Sequence, residues 1–313
     1  MSRRELTGDE VFEQISPEVG ELDEAALDRL LESDPDAVMT MLATLTAAVD
    51  DTLRAKARAA ACRIAIDIAR QGPAVRGRVG RLRSRPLDDG GGDLDVDAAV
   101  EAVAAAGGGV PDPAELREVI WERPDTALCL VVDRSGSMRG EALATAALAA
   151  AVVSCRAPGA HAVLAFAGEV DVLRHMGEPP VVGAEGAEPL IDQVLGLTGH
   201  GTTDLAGALS AAGSQCALAA AGRRLTVLLS DCRATEPGDM VAAASSLDEL
   251  VVLAPADDDA EAQTFCNLVG ARCVSVSGPA DVVRALDEAL SRRGPTGQGP
   301  IRWCCRRGPP DVG

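Results

Sequence analysis

Three short stretches carry oxygen-bearing side chains at spacings that suit a hard cation. Asp133-Arg134-Ser135-Gly136-Ser137 follows an apolar run, Gly201-Thr202-Thr203-Asp204 precedes a helix pattern, and a second apolar run ends in Ser230-Asp231. Asp133 supplies a carboxylate. Ser135 and Ser137 alternate about Gly136, so both hydroxyls can turn inward over one tight loop. Thr203 adds a third hydroxyl and Asp231 a second carboxylate. Few carboxylates with several neutral oxygens suit Mg²⁺, or Mn²⁺ in its place, because Mg²⁺ keeps waters and seldom sits in an all-protein cage. Two carboxylates roughly balance the ion's charge and leave at least one position open, which an acidic side chain from another molecule could fill. Taken singly, each stretch also reads as an ordinary turn or helix cap.

The elements that must position these residues follow from periodicity. Beyond Pro124 strands alternate with helices: strands at Ala127–Val132, Ala160–Ala165, Val170–Leu173, Leu225–Leu229, Leu250–Leu253 and Ala271–Val276. Ala-rich helix patterns separate them at Glu141–Cys155, Ala187–Leu195, Leu205–Ala220, Met240–Ser246, Ala260–Gly270 and Ala280–Ser291. Central strands that are continuously apolar belong to a parallel sheet covered on both faces, so the fold class is a doubly wound α/β domain. In such sheets ligands bind beyond the carboxyl ends of the strands, which is where all three stretches fall.

Residues 1–110 read differently. Helix patterns occupy Asp23–Glu32, a run from Pro35 and Leu53–Arg70. Arginines then continue from Arg76 to Arg85, read here as an arginine-rich loop, with a docking strip for an acidic partner or for the chain's own acidic surface as the alternative; residues 86–95 read as a Gly/Asp linker before a short helix at Val96–Ala106. The expected organisation is a helical N-terminal region over 1–110, an α/β domain over 124–292 and a loose tail over 293–313.

Composition excludes several function classes. The 313 residues carry 48 acidic and 29 basic side chains, a formal charge of −19, with 2% aromatic residues and no tyrosine. Nucleic-acid binding needs clustered positive charge and stacking rings. Nine scattered cysteines form no C-x-x-C pair, so neither a zinc ribbon nor a thioredoxin-type motif is present. No apolar run approaches the ~18 residues of a membrane span, and no leader pattern opens the sequence. A reducing cytoplasm is the expected location. His161 and His175 lack the acid and nucleophile neighbours of a triad, and no P-loop motif occurs.

D-x-S-G-S after an apolar strand, a later G-x-T-D-L and a strand ending in S-D resemble the metal-ion-dependent adhesion site of a von Willebrand factor type A (VWA) domain over about residues 124–292. The resemblance implies that Asp133, Ser135, Ser137, Thr203 and Asp231 take the five ligand roles, with Asp204 behind them. Two residues depart from the family pattern: Cys232 stands where glycine is usual, and His200 interrupts the glycine run, a pair that could favour a softer metal. The helical region followed by LRSRPLDDGGGDLDVD and RPDTALCLVVDRSGSM resembles bacterial VWA proteins of the CoxE-like kind. Those occur typically with MoxR-type AAA+ ATPases, and a related arrangement is found in the magnesium chelatase D subunit. The implied role is a non-catalytic adaptor that couples an ATPase to maturation of, or metal insertion into, a client. Two alternatives remain open: a Mg²⁺-dependent phosphohydrolase with Asp133 as nucleophile, and a purely structural scaffold.

Overall fold

The computed structural model describes residues 9–16, 21–71, 81–87, 93–107, 109–122, 126–136, 140–181, 183–199 and 201–291. Among the described residues the first elements are four helices, α1 (Glu10–Ile15), α2 (Glu24–Ser33), α3 (Pro35–Leu45) and α4 (Asp51–Gln71). Part of the acidic excess is used in starting helices. Asp9, Asp23 and Asp34 each accept backbone N–H groups of the helix that follows, satisfying donors that a first helical turn leaves unpaired.

Next come β1 (Arg81–Pro86), β2 (Asp93–Leu94), α5 (Val96–Ala105) and β3 (Arg117–Glu122). Here the structure departs from the arginine-rich loop read from sequence: β1 pairs antiparallel with β3, and β2 flanks β3 on its other side. The register sets Arg81 opposite Glu122 and Arg85 opposite Glu118. The strand is invisible to hydropathy because alternate positions are arginine rather than apolar, and the partner that defines it lies more than thirty residues away.

The second sheet is built from β4 (Thr126–Asp133), β5 (His161–Phe166), β6 (Val170–Arg174), β7 (Arg223–Leu229), β8 (Leu250–Pro255) and β9 (Arg272–Val276). Its order is β6-β5-β4-β7-β8-β9; β6 runs antiparallel to β5 and every other pairing is parallel. The connecting helices are α6 (Glu141–Arg156), α7 (Gly183–Leu195), α8 (Leu205–Ala217), α9 (Met240–Ser245), α10 (Ala260–Val269) and α11 (Pro279–Ser291). The doubly wound class read from the alternation is therefore present, and all six strands fall where the apolar runs lie. Strand side chains alternate between faces. Leu128, Leu130 and Val132 pack with α6, α7 and α11, whereas Ala127, Cys129 and Val131 pack with α8 and α10.

Helix α6 explains the alanine excess. Every residue from Leu143 to Ser154 is buried, as expected of a helix apolar on all sides. The sheet lies against one flank, and α3 and α4 cover the other. The N-terminal helices thus form an additional layer, and Phe12, Leu42 and Ile66 belong to the same continuous hydrophobic cluster as Leu148 and Leu130. Alanine lets three layers approach closely where larger side chains would hold the helices apart.

A candidate cation-binding crevice at the carboxyl edge of the sheet

β4 is buried from Ala127 to Val132 and delivers the half-buried Asp133 to the carboxyl edge of the sheet. There the chain turns sharply. Asp133 Oδ1 accepts the backbone N–H of Ser135 at 2.8 Å and its hydroxyl at 2.5 Å. Gly136 follows in the left-handed region (φ 69°), a conformation open to glycine without steric cost. The other carboxylate oxygen, Oδ2, accepts the hydroxyl of Ser230 at 2.6 Å, from the tip of β7. Ser230 Oγ in turn accepts the backbone N–H of Cys232 at 2.9 Å.

The loop before α8 is tied into the same structure. The backbone N–H of Arg134 donates to Phe166 C=O at the end of β5, and that of Asp204 donates to the adjoining Ala167 C=O, both at 2.8 Å. Thr203 is buried; its N–H donates to Thr235 Oγ1 at 2.7 Å, and its C=O accepts from the N–H groups of Thr235 and Glu236. These bonds close a circuit through the three loops: β4 tip to β7 tip through Asp133 and Ser230, β7 loop to α8 loop through Thr203, and back through the end of β5. Asp204 also caps α8, accepting the Gly207 N–H at 2.8 Å.

The sequence-selected residues therefore divide. Asp133 and Ser135 touch directly, and the charge of Asp231 is close enough to raise the Asp133 pKa. Thr203 is held on the neighbouring loop by its backbone. Ser137 and His200 lie outside the described residues. Sequence reasoning missed the role of Ser230, which bridges the strand tips; its only signal was its position beside Asp231. Thr235 and the carbonyls of β5 gave no signal.

The electrostatics set this carboxylate apart. Burial pushes the Asp133 pKa above its ordinary 3.8; the hydrogen bonds from Ser135 and Ser230 oppose the shift, and Asp231 adds to it. Arg134 pairs with Asp171 at 2.6 Å; Arg233 pairs with Asp258 at 2.5 Å and Glu261 at 3.3 Å, and Asp231 adds to the charges that raise the Arg233 pKa. Above the site opens a crevice of about 820 Å³ that Glu141 and Asp257 also line, over a floor including Val132, Leu229 and Leu253. It sits where the sheet order reverses beside β4, the expected position for a ligand in an open parallel sheet.

The donor set fits a hard divalent cation better than a soft one. Among the described residues no group of three or more His, Cys, Asp or Glu is arranged to hold a metal, so hydroxyl and water oxygens would have to complete any shell, as Mg²⁺ tolerates. The Cys232 thiol is buried, and its pKa is pushed up by that burial and then by Cys266 and Cys273. His161 sits at the start of β5, at the opposite edge of the sheet from the crevice; its Nδ1 lies 2.7 Å from Ala157 C=O, and burial lowers its pKa to about 4.

The family model described as "VWA domain containing CoxE-like protein" matches residues 65–288. No curated protein matches the chain. Among solved structures it is similar to an aerotolerance-related membrane protein from Bacteroides fragilis NCTC 9343 with multiple mutations to serines, at 16% identity and TM-score 0.43, over 52% of this chain and 97% of that one. It is similar to a von Willebrand factor type A from Catenulispora acidiphila at 19% identity and TM-score 0.43, over 55% of this chain and 43% of that one. A third similarity is to the conserved hypothetical protein BatB from Bacteroides thetaiotaomicron, at 14% identity and TM-score 0.43, over 53% of this chain and 97% of that one. Among the described residues no helix is long and apolar enough to cross a membrane.

Proposed function

The chain belongs to the family of VWA domain-containing CoxE-like proteins, and from that premise we propose that it is a non-catalytic adaptor whose partner binding depends on a divalent cation. Asp133, Ser135, Ser137, Thr203 and Asp231 would hold Mg²⁺, or Mn²⁺ in its place. The bound ion would supply one open coordination position for an acidic side chain of a partner protein. The observation that carries this reading is a half-buried Asp133 carboxylate, raised in pKa by burial and by the charge of Asp231, to which among the described residues only hydroxyls and an amide are bonded. Such a charge is costly to bury unpaired, and a divalent cation would compensate both acids.

The chain's own groups do the positioning. Ser230 and Ser135 fix the plane of the Asp133 carboxylate, and backbone bonds to Thr235 and Glu236 hold Thr203 on the loop before α8. A MoxR-type AAA+ ATPase, or its client, is the partner we assign from the CoxE-like resemblance, with work in protein maturation or metal insertion in the cytoplasm. The phosphohydrolase reading is weaker. Ser135 occupies the position where that chemistry needs a second acid, and Lys56, which would be the lysine to hold a phosphoryl group, lies on α4.

The test is affinity capture of a MoxR-type ATPase by the purified chain. Capture is expected in Mg²⁺ and should be lost in EDTA and in Asp133→Ala. Undiminished capture in EDTA would reject the metal-bridged version, and calorimetry showing no response to Mg²⁺ or Mn²⁺ would reject the ion itself.

A further inference from the structure

The loop that leaves β7 begins with Asp231, one residue assigned to the ion, and soon meets Thr203, another of them, on the loop before α8. Its first turn is fixed by three bonds. The N–H of Cys232 donates to Ser230 Oγ at 2.9 Å, that of Arg233 to Asp231 Oδ1 at 2.9 Å, and that of Ala234 to Cys232 C=O at 3.0 Å. Cys232 itself takes φ 62°, a backbone conformation uncommon outside glycine. The chain leaves this turn toward α8. Gly238 comes so near that helix that a Cβ there would lie 2.6 Å from Ala206 Cβ, closer than packed carbons tolerate.

Between these points Thr235 grips the Thr203 peptide from both sides. Its Oγ1 accepts the Thr203 N–H at 2.7 Å, while the N–H groups of Thr235 and Glu236 donate to Thr203 C=O at 3.1 and 3.2 Å. Thr203 is buried, so its backbone groups require such partners. The single N–H and both lone pairs of the carbonyl are thereby used. The hydroxyl is the group that Thr203 has left to offer an ion.

We propose that Thr235 is a positioning residue for the ion: its hydroxyl, with the N–H groups beside it, holds the Thr203 peptide so that Thr203 and Asp231 face one cation at a fixed separation. The inference rests on the cation reading above and adds to it a residue that touches no ion. Mg²⁺ demands near-ideal octahedral geometry. Asp231 and Thr203 come from different loops, so chain continuity does not set their separation. The β7 loop supplies the missing link, because it carries Asp231 and bonds to Thr203. Among the described residues the Thr235 hydroxyl is the only side-chain group hydrogen-bonded to Thr203.

The test compares three variants of the full chain. Thr235→Val keeps the branched shape and removes the acceptor, Thr235→Ala removes both, and Thr235→Ser keeps the acceptor. Thr235 is exposed, so these changes leave the core alone, and circular dichroism checks that the fold is intact. Two readouts are taken. Calorimetry with Mg²⁺, repeated with Mn²⁺, gives the dissociation constant. Losing a group that orients a metal ligand costs about 10–100-fold in affinity, so Thr235→Val and Thr235→Ala should bind at least about tenfold more weakly, and Thr235→Ser should stay near wild type. Amide exchange of Thr203, followed by NMR without metal, should be slow in wild type and Thr235→Ser and faster in the other two. An unchanged dissociation constant in Thr235→Val overturns the proposal and leaves the cation reading standing, as does failure of Thr235→Ser to restore binding. Unchanged Thr203 exchange in Thr235→Val overturns it independently of any ion. A wild-type chain that binds neither ion overturns the cation reading and this proposal together.

Discussion

The two edges of the central sheet treat buried charge in opposite ways. At the amino edge the buried Asp287 and the half-buried Glu249 each face an arginine. Arg156 pairs with Asp287 at 2.9 Å, with side chains 11% and 9% exposed, and also donates to Ala69 C=O. Arg223 forms two bonds to the Glu249 carboxylate, at 2.7 and 2.6 Å, besides those to α11. At the carboxyl edge Asp133 meets two hydroxyls, one amide and the field of a second carboxylate. The amino edge is therefore complete within the chain, locking α4, α6 and α11 together. At the carboxyl edge no described residue forms an ion pair with Asp133. That contrast separates a structural ion pair from a binding site.

The largest expected effect lies at the complete edge. Arg156→Met leaves Asp287 buried without its cation and should destabilise the chain by about 3–5 kcal/mol in urea unfolding. Arg156→Met with Asp287→Leu should recover most of that loss. A single variant within about 1 kcal/mol of wild type would remove the amino-edge half of the comparison.

At the other edge Mg²⁺ should act as the missing partner. At 100 times its dissociation constant it should add about 2.7 kcal/mol to the wild-type chain and nothing to Asp133→Ala, read by thermal melts with and without EDTA. Equal melts for both proteins would make the carboxyl edge as self-sufficient as the amino edge.

A smaller effect concerns the turn that carries Ser230. Cys232 is the only non-glycine residue among those described with positive φ, at 62°. Cys232→Ala keeps that strain, whereas Cys232→Gly relieves it. The glycine variant should be the more stable of the two by about 1 kcal/mol, measured by denaturant unfolding.

The finest test is of pH, and the signs at the two edges differ. The raised Asp133 pKa means that its contribution is present below pH 3.8 and lost as pH climbs through the folded value. At neutral pH without metal, Asp133→Asn should then be more stable than wild type, and Mg²⁺ should reverse the order. His161 works the other way at the amino edge. Its pKa falls from 6.5 to about 4, so its contribution is present above 6.5 and is lost as pH drops toward 4. His161→Gln should flatten the stability profile over that interval and leave the neutral plateau level.

Much of this was legible before any coordinates. The six strands and their helices follow from apolar runs such as ALCLVV and LTVLL, because continuous apolarity is what a strand covered on both faces requires. The D-x-S-G-S and S-D segments were legible for a similar reason, each lying at the end of such a run. The small antiparallel sheet was not, since β1 alternates arginine with other residues and takes its identity from β3. Nor was the burial of α6 from both sides. Its alanines fit one covering layer as well as two, and only the docking of α3 and α4 distinguishes them.

The amino-acid order by itself determined the period of each element, the sheet class and the acids and hydroxyls that end up at strand tips, because period and turn chemistry are written within a few neighbouring residues. Tertiary structure alone decided that Ser230 would reach Asp133 across 97 positions of chain and that backbone bonds would hold Thr203 on the loop beside them. It also decided that, among the described residues, no arginine would form an ion pair with Asp133. Those outcomes depend on which strand lies next to which and how deeply an edge is buried, and both are properties of the packed sheet that no local pattern encodes.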